Sequence, residues 1–328
     1  MKLATYRDGS RDGQLVVVSR DLGQAHYATG IADRLAQVLD DWNFLAPQLQ
    51  DLYAQLNAGR ARHAFAFDAR QCMAPLPRAG QRLGALAYPS HAGRVRRAWA
   101  VALPELPATM PVLYQGAGDD LLGACDDVCL TSEALAADLG ASLMVVTGDV
   151  ARGALPEQAL EGVRLLMLAN EVTLTALAAD ELARGLGLVQ ARAATACSPV
   201  AVTPDELGDA WRGGRVRLTL KCSVNGRKLG LVDAGAGMRF DFGQLLAHAA
   251  RTRRLRAGSL LGADTVSSDD PARGFCSIAE KRVVEALDGS EPVTGYLRFG
   301  DVVRVEMLGS DGASVFGAIE HAVAQAGA

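Results

Sequence analysis

The stretch that decides the fold reads DLGASLMVVTGDV and covers residues 138–150. Its apolar run, residues 143–147, is followed by Gly-Asp and is typical of a buried strand. Side chains point alternately to the two faces of a strand, so Gly140 and Ser142 share one face. The nearest acid upstream, Asp138, does not complete a pair of carboxylates on that face. The sequence therefore predicts a buried strand without paired carboxylates at these two positions.

Alternating strands and separate helices accompany this strand along the chain. Apolar and polar residues alternate over most of residues 215–226, which end in Asn-Gly. This pattern is typical of a β-hairpin with one solvent-exposed face. Strand patterns also cover residues 98–103 and 302–307, and helical periodicity covers residues 174–184, 242–252, 278–287 and 314–324. Strands of mixed spacing with separate helices predict an α+β fold with a mixed, largely antiparallel β-sheet, not a repeated βαβ chain.

The first quarter of the chain has the pattern of a small module. Its elements are a short strand at residues 15–19 and helical patterns at residues 31–42 and 46–56. From Met73 onward, proline and glycine separate short apolar runs, which indicates a change of organisation. We therefore expect a small N-terminal α/β module over residues 1–75 and a second domain over residues 76–328.

Composition and charge limit the classes of partner. The chain has 328 residues, 49% hydrophobic and 21% charged, which is ordinary for a globular protein. Its net charge of −4 gives no electrostatic basis for nucleic-acid binding. No apolar run reaches the ~20 residues of a membrane span, and the N-terminus lacks the apolar core of a signal peptide. We therefore expect a cytoplasmic protein with no nucleic acid and no membrane among its partners.

The six cysteines do not form a metal-binding pattern. Cys125 and Cys129 are four residues apart, but no second Cys or His pair lies near them in the sequence. A structural zinc site needs four such ligands. Free, buried thiols in a reducing compartment are therefore expected. A new cation site built from Cys125, Cys129 or Asp264 is the alternative.

Several further blocks resemble the fumarylacetoacetate hydrolase family. They are SPVAVTPDEL at 198–207, FDFGQLLAHAA at 240–250, LRAGSLLGADTVS at 255–267, CSIAEKR at 276–282 and RFGD at 298–301. With the strand at 138–150 they keep the order and spacing of the family's motifs, most closely those of a bacterial branch with a distinct N-terminal module. The resemblance implies a β-sheet roll with peripheral helices, and family members usually form homodimers.

The resemblance also implies a reaction, the hydrolysis of a carbon–carbon bond in a 1,3-dicarbonyl or acylpyruvate-type acid. In the family, carboxylates hold a divalent cation, Mg²⁺ or Ca²⁺, which chelates two substrate oxygens and acts as a Lewis acid. A base-activated water attacks the other carbonyl. The ligand that the resemblance implies is therefore a small oxo-acid.

The metal ligands that the resemblance implies are largely replaced. The family's two strand glutamates correspond to Gly140 and Ser142. Its aspartate in the N-D-V-S segment corresponds to Glu171, within NEVT at residues 170–173, which keeps the carboxylate on a longer side chain. With one carboxylate left, the full cage cannot form. We expect a degenerate metal site in which Glu171 is the remaining ligand or a salt-bridged acid.

The resemblance assigns catalytic roles to three further residues. Arg192 corresponds to a lysine that helps hold an anionic substrate, and it keeps the charge with a planar, bulkier group. Thr265 keeps the hydroxyl of the family's Gly-Thr pair. Glu280 corresponds to the glutamate that assists the attacking water; a helix-surface acid is the alternative.

The expected substrate pocket comes from two other segments. The loop YQGAGDD, residues 114–120, resembles a family loop whose glycines let the backbone approach a ligand. It contributes Tyr114, Gln115 and Asp119, although an ordinary turn has similar spacing. His248 corresponds to a family histidine on a helix, and a packing role is its alternative.

Two functions follow from these residues. The first is an enzyme that hydrolyses or otherwise processes a small oxo-acid, with Arg192 binding the carboxylate and Glu280 acting as base. It works without metal, or with a cation held by Glu171 and the substrate. The second is a catalytically inactive member that binds a small carboxylate or a protein partner.

Overall fold

Residues 1–99, 107–185, 187–287 and 289–327 are described by a computed structural model of the chain. The helices of these residues are α1 (Leu35–Asp40), α2 (Trp42–Asn57), α3 (Pro89–Ala98), α4 (Pro156–Glu161), α5 (Thr175–Ala183), α6 (Phe242–Ala249) and α7 (Ile278–Glu285). The strands are β1 (Lys2–Tyr6), β2 (Gln14–Val18), β3 (Gln24–Tyr27), β4 (Phe65–Ala66), β5 (Arg82–Ala85), β6 (Leu113–Gly116), β7 (Val128–Leu130), β8 (Ala137–Asp138), β9 (Ala141–Thr147), β10 (Val163–Leu174), β11 (Ala194–Cys197), β12 (Ala201–Val202), β13 (Trp211–Arg212), β14 (Arg215–Val216), β15 (Thr219–Val224), β16 (Arg227–Asp233), β17 (Leu260–Thr265), β18 (Val302–Met307) and β19 (Ile319–Gln325).

A large sheet carries most of the strands. Its order is β4-β3-β2-β1-β12-β10-β9-β17-β5-β6, and β8 and β11 also pair with β10. Its strand pairs are antiparallel except for β17 with β5. All seven residues of β9 are buried, because this strand has neighbours on both edges and packs on both faces. The α+β class with a mixed, largely antiparallel sheet is confirmed.

A second sheet has the order β16-β15-β18-β19-β7. The predicted Asn-Gly hairpin joins β15 to β16, and Asn225 and Gly226 have φ values of 51° and 72°. Two successive positive φ values are what a tight hairpin turn requires. The hairpin strand begins later than predicted, at Thr219, because Arg215 and Val216 pair with β13 in a separate two-stranded ribbon.

One predicted helix is wrong, and one predicted strand lies largely outside the described residues. Residues 319–324 of the predicted helix at 314–324 lie in β19 (Ile319–Gln325), whose side chains alternate between buried and more exposed. Pairing with β18 and β7 outweighs the helix preference of its alanines. Of the strand predicted at 98–103, residues 100–103 are not described and Ala98 ends α3. The helices predicted at 174–184, 242–252 and 278–287 are present as α5, α6 and α7.

The N-terminal strands belong to the large sheet. Strand β1 pairs with β2 on one edge and with β12 on the other, where Leu3 lies opposite Ala201. Helix α2 packs on this end of the sheet and buries Leu49 and Tyr53. A division of the chain near residue 75 stays a prediction. Among the described residues, no helix is both long enough and apolar enough to span a membrane.

Candidate active site

Three strands of the large sheet bring Ser142, Glu171 and Thr265 together. Ser142 lies near the start of β9 and is opposite Thr265, the last residue of β17. Glu171 follows Asn170, the β10 residue opposite Ala141. The Ser142 hydroxyl donates a hydrogen bond of 2.9 Å to Glu171 Oε1. All three of these polar side chains are buried, so their partners must come from the protein itself.

Two guanidinium groups pair with the Glu171 carboxylate. Arg82, the first residue of β5, donates from Nη2 to Glu171 Oε2 and forms an ion pair with it. Arg192 approaches the same oxygen with Nη1 at 3.4 Å. The side chains of Glu171, Arg82 and Arg192 are 0%, 2% and 9% exposed. Breaking a buried ion pair of this kind is strongly destabilising. We name these three residues, together with Asp264 and Tyr114, the arginine cluster.

Two glycines of the β5–β6 pair make room for Arg82 and Tyr114. Arg82 lies opposite Gly116, and Tyr114 lies opposite Gly84. A Cβ atom at Gly84 would be 2.1 Å from Tyr114 Cζ, and one at Gly116 would be 2.5 Å from Arg82 Nη1. Because residues two apart share a face of a strand, both side chains point from the pair toward Glu171 and Arg192.

The contacts of Arg192 are long. Its Nη2 donates to the Tyr114 hydroxyl at 3.2 Å and lies 3.5 Å from Asp264 Oδ1, and its guanidinium lies 5.4 Å from the Tyr114 ring centre. Its Nε is buried and has no hydrogen-bond partner among the described residues. Asp264 has a positive φ of 64° and accepts a hydrogen bond of 2.9 Å from the Thr265 amide. Arg192 is therefore held by several weak contacts.

A second group of side chains surrounds Glu280, and we name it the base cluster. Helices α3 and α7 pack against each other and supply most of it. Glu280 Oε1 lies 2.5 Å from His91 Nδ1, and Glu280 Oε2 accepts hydrogen bonds of 2.9 Å from both Arg94 Nη1 and Ser267 Oγ. Glu280 and His91 are buried. The helix-surface alternative for Glu280 is therefore wrong.

Asp138 fixes the start of α7 and so positions Glu280. Its Oδ2 accepts hydrogen bonds from Ser277 Oγ at 2.6 Å and from the Ala279 amide at 3.1 Å, and its Oδ1 accepts from the Ile278 amide at 2.6 Å. These are amides that a helix start leaves without partners inside the helix. Burial nevertheless raises the pKa of Asp138 to about 6, against the lowering effect of these hydrogen bonds.

The charge of His91 depends on both clusters. Burial by itself lowers the pKa of the imidazole, but the hydrogen bond and the negative charge of Glu280 outweigh it, so the pKa is above its ordinary value. The charge of Asp264 raises this pKa further, and the charge of Arg192 opposes it. The two clusters are thus close enough to interact electrostatically. A histidine oriented by a carboxylate through Nδ1 can exchange a proton through Nε2.

Comparison with known proteins identifies the family of the chain. Residues 1–78 match the family model described as fumarylacetoacetase N-terminal domain 2. Residues 84–324 match the model described as fumarylacetoacetate (FAA) hydrolase C-terminal. The chain belongs to the fumarylacetoacetate hydrolase family. The match at residues 1–78 also confirms the N-terminal module that the resemblance implied.

Individual relatives are more distant. A 2,4-didehydro-3-deoxy-L-rhamnonate hydrolase from Sphingomonas sp. (strain SKA58) is 26% identical over 207 residues, which are 62% of this chain and 64% of that protein. The chain therefore matches less than two thirds of the relative's length. Among solved structures, the fumarylacetoacetate hydrolase from Exiguobacterium antarcticum has a TM-score of 0.64 at 22% identity and 99% coverage of both chains. Maleylpyruvate hydrolase from Sphingobium sp. SYK-6, solved with manganese(II) and pyruvate, has a TM-score of 0.63 at 16% identity and the same coverage. These likenesses show the fold.

The residues of this family member do not fit a carboxylate cage for Mg²⁺ or Ca²⁺. Within the described ranges, no group of three or more His, Cys, Asp or Glu side chains is arranged to hold a metal ion. Glu171 already has two guanidinium partners, and a divalent cation beside it would face their repulsion. A Cβ atom at Gly140 would lie 2.7 Å from the Glu171 carbonyl oxygen and 3.0 Å from Thr265 Oγ1, so a glutamate has no room there.

The other expected pocket residues lie apart from both clusters. Gln115 and Asp119 are exposed, and Gln115 points to the face of β6 opposite Tyr114. His248 is half-buried on α6, which packs against α4 beyond the other end of β9. Over the part of the chain described, no hydrogen bond or ion pair connects these three side chains with Glu171 or Glu280.

A surface cleft of about 310 Å³ is also separate from both clusters. It lies between α1, the start of α2 and the far end of β9. Its charged and aromatic lining comes from Trp42, Asp149, Arg164 and Arg256, with Asp40 and Asp41 beside them. None of the residues of the arginine cluster or the base cluster lines it, so we base no function on its size.

Sequence reasoning missed Arg82, His91 and Arg94. Arg82 is followed directly by the apolar stretch LGALA and begins a short buried strand, a place where a charge needs a partner. His91 and Arg94 are three residues apart in a segment that starts with Pro89, so they share one face of a helix. These signals are present in the sequence, but they do not indicate which acids are the partners.

Proposed function

We propose that the protein hydrolyses the carbon–carbon bond of a small 1,3-dicarbonyl or acylpyruvate-type acid, with the family's divalent-metal site lost. The observation that carries the proposal is the buried 2.5 Å contact between His91 Nδ1 and Glu280 Oε1, together with the electrostatic effect of Asp264 and Arg192 on the pKa of His91. A histidine held by a carboxylate is a general base, and a guanidinium binds carboxylates through paired hydrogen bonds. Both groups that the reaction needs are therefore present without a metal ligand.

The reaction can be written with these side chains alone. Arg192 binds the substrate carboxylate, and His91 Nε2 takes a proton from water as the water oxygen bonds to the distant carbonyl carbon. Glu280 stabilises the imidazolium that forms. The adjacent carbon–carbon bond then breaks, and its electron pair forms the enolate of a 2-oxo acid. The imidazolium returns its proton to the enolate carbon. The products are a carboxylic acid from the attacked carbonyl and the 2-oxo acid.

Tyr114 supports the enolate in this scheme. Burial raises the pKa of its hydroxyl well above the ordinary value, even though the charge of Arg192 lowers it, so the group keeps its proton. The hydroxyl oxygen accepts from Arg192, which leaves the hydroxyl hydrogen to donate to an enolate oxygen. Preorganised donors at the place where charge develops are an effective source of catalysis.

Pyruvate release tests the proposal. Purified protein in EDTA is incubated with a series of acylpyruvates and with the sugar acid for which the Sphingomonas relative is named, and the 2-oxo acid is measured with a coupled dehydrogenase. We expect turnover that falls at least ~100-fold in His91→Gln and Glu280→Gln, the usual contribution of a general base. Gln115→Ala, an exposed side chain next to Tyr114, is the matched control. No turnover of any of these acids by the unchanged protein contradicts the proposal.

One observation favours the binding-only alternative. Arg192 is 9% exposed and already contacts two carboxylates, those of Glu171 and Asp264, so the resting site is nearly closed. An inactive member that binds a small carboxylate needs only Arg192 to exchange these partners. Binding of pyruvate, seen by ligand-observed NMR and lost in Arg192→Gln, in a protein that turns over none of the acids, supports this alternative.

A homodimer and a cytoplasmic location belong to the same proposal. The homodimer comes from the family resemblance, and the cytoplasmic location is an expectation from the sequence. Light scattering on the purified protein gives the mass of the assembly, and a mass near 34.4 kDa would contradict the dimer. Fractionation of the source cells tests the location.

A further inference from the structure

We infer that the Arg82 guanidinium is a tethered cation that replaces the family's divalent ion and keeps Arg192 available for the ligand. The inference rests on the proposed function of this site as a receptor for a small oxo-acid. It adds a positioning role for Arg82, which contacts Glu171 and not the ligand. It also makes binding of the oxo-acid independent of added metal.

The position of Arg82 is fixed by the fold. It begins β5, which pairs with both β6 and β17, and its side chain is 2% exposed. Besides the ion pair with Glu171, its Nη1 donates to the Ala117 carbonyl at 3.3 Å, and the missing side chain of Gly116 leaves the space that it fills. A cation held in this way cannot dissociate or be removed by a chelator.

The charges of the arginine cluster already balance. Arg82 and Arg192 contribute two positive charges, and Glu171 and Asp264 contribute two negative charges, all on side chains at most 9% exposed. A divalent ion placed among them would add two positive charges to a buried site without adding a carboxylate. Buried charges without compensation are strongly unfavourable. The cluster therefore excludes a divalent ion.

The two arginines of the cluster differ in the length of their contacts and therefore in their roles. Arg82 forms the close ion pair with Glu171, whereas Arg192 reaches Glu171 at 3.4 Å and Asp264 at 3.5 Å. An incoming carboxylate competes only with the long contacts. Without Arg82, Glu171 has Arg192 as its remaining guanidinium partner, and Arg192 is no longer available for the ligand.

The test uses Mn²⁺ and pyruvate as probes. Mn²⁺ binding is measured by electron paramagnetic resonance, and pyruvate binding by ligand-observed NMR with EDTA or with Mg²⁺. We expect no Mn²⁺ binding up to millimolar concentrations and the same pyruvate affinity in both buffers. Arg82→Gln should weaken pyruvate binding at least ~10-fold, and Arg82→Gln with Glu171→Gln should restore it. Arg304→Gln is the control, because this arginine is 40% exposed and pairs with Glu306 and Glu320 on the second sheet, apart from the arginine cluster.

The outcomes separate this inference from the proposed function. Stoichiometric Mn²⁺ binding by the unchanged protein, or pyruvate binding that requires Mg²⁺, overturns the tethered cation but leaves an oxo-acid site. A folded double variant that binds pyruvate as weakly as Arg82→Gln also overturns it. If Arg82→Gln does not fold, the Mn²⁺ measurement and the double variant decide. If neither pyruvate nor an acylpyruvate binds at all, the proposed function fails. The Mn²⁺ measurement still tests whether the cluster excludes a divalent ion.

Discussion

The stability of the Arg82–Glu171 pair gives the sharpest test of the ionic arrangement. Arg82→Met leaves the carboxylate of Glu171, 0% exposed, with only Ser142 and the long contact to Arg192. Removing one partner of a buried ion pair typically costs about 3–5 kcal/mol. Glu171→Leu leaves the buried Arg82 guanidinium without its carboxylate and should cost about as much. Replacement of a whole buried pair by apolar residues is often neutral or stabilising.

These values predict a large coupling between the two positions. If each single change costs about 3–5 kcal/mol and the double change costs about 0–2 kcal/mol, the coupling free energy is at least about 4 kcal/mol. Urea unfolding followed by circular dichroism measures the free energy of unfolding of the four proteins, provided that their m-values agree. The pair of Arg304 and Glu320, whose side chains are 40% and 51% exposed, is the control and should give a coupling of about 0.2–1 kcal/mol. A coupling below about 1 kcal/mol at Arg82 and Glu171 would refute the buried ion pair.

Three other changes have expected results. The raised pKa of His91 predicts that kcat/KM for an acylpyruvate falls as the pH drops through a value above 6.5, and the residual activity of His91→Gln, at least ~100-fold lower, should lack this acid limb. Asp138 has a folded pKa of about 6 against 3.8 for the free group, so its stabilising effect is complete below pH 3.8 and lost as pH rises through 6. In the unchanged protein this group lowers the free energy of unfolding by up to about 3 kcal/mol between pH 4 and pH 7. Asp138→Asn should remove that part of the pH dependence. Gly84→Ala places a Cβ 2.1 Å from Tyr114 Cζ and should cost about 1–3 kcal/mol, whereas Gly93→Ala, with open space around it, should be neutral or stabilising in thermal unfolding.

Local patterns in the sequence predicted much of the fold. The buried strand β9 shows in its apolar run. The Asn-Gly turn at residues 225–226 and three of the four helices predicted beyond residue 150 depend on interactions between near neighbours, which a sequence shows directly. Strand β19 does not. Its segment IEHAVAQ contains good helix formers, and it becomes a strand because β18 and β7 offer edges for pairing. That choice is made by tertiary contacts.

The candidate site shows the same division. Sequence reasoning found Glu171, Arg192, Thr265 and Glu280 because each lies in a recognisable block. It did not find Arg82, which is 89 positions from Glu171. Ion pairs between such distant positions leave no local pattern, because a lone arginine does not specify its partner. The exposure of Gln115 also depends on the direction in which β6 faces, which the loop pattern does not determine.

The glycines at positions 84 and 116 restrict the order in which the arginine cluster could have been acquired. Any side chain at position 84 collides with the ring of Tyr114, and any side chain at position 116 collides with the guanidinium of Arg82. A side chain at either position therefore requires its large neighbour to shift. A history in which the two small residues came first, leaving an empty recess, avoids that shift. Relatives that carry glycine at both positions and lack the arginine are the intermediates that such a history would leave behind.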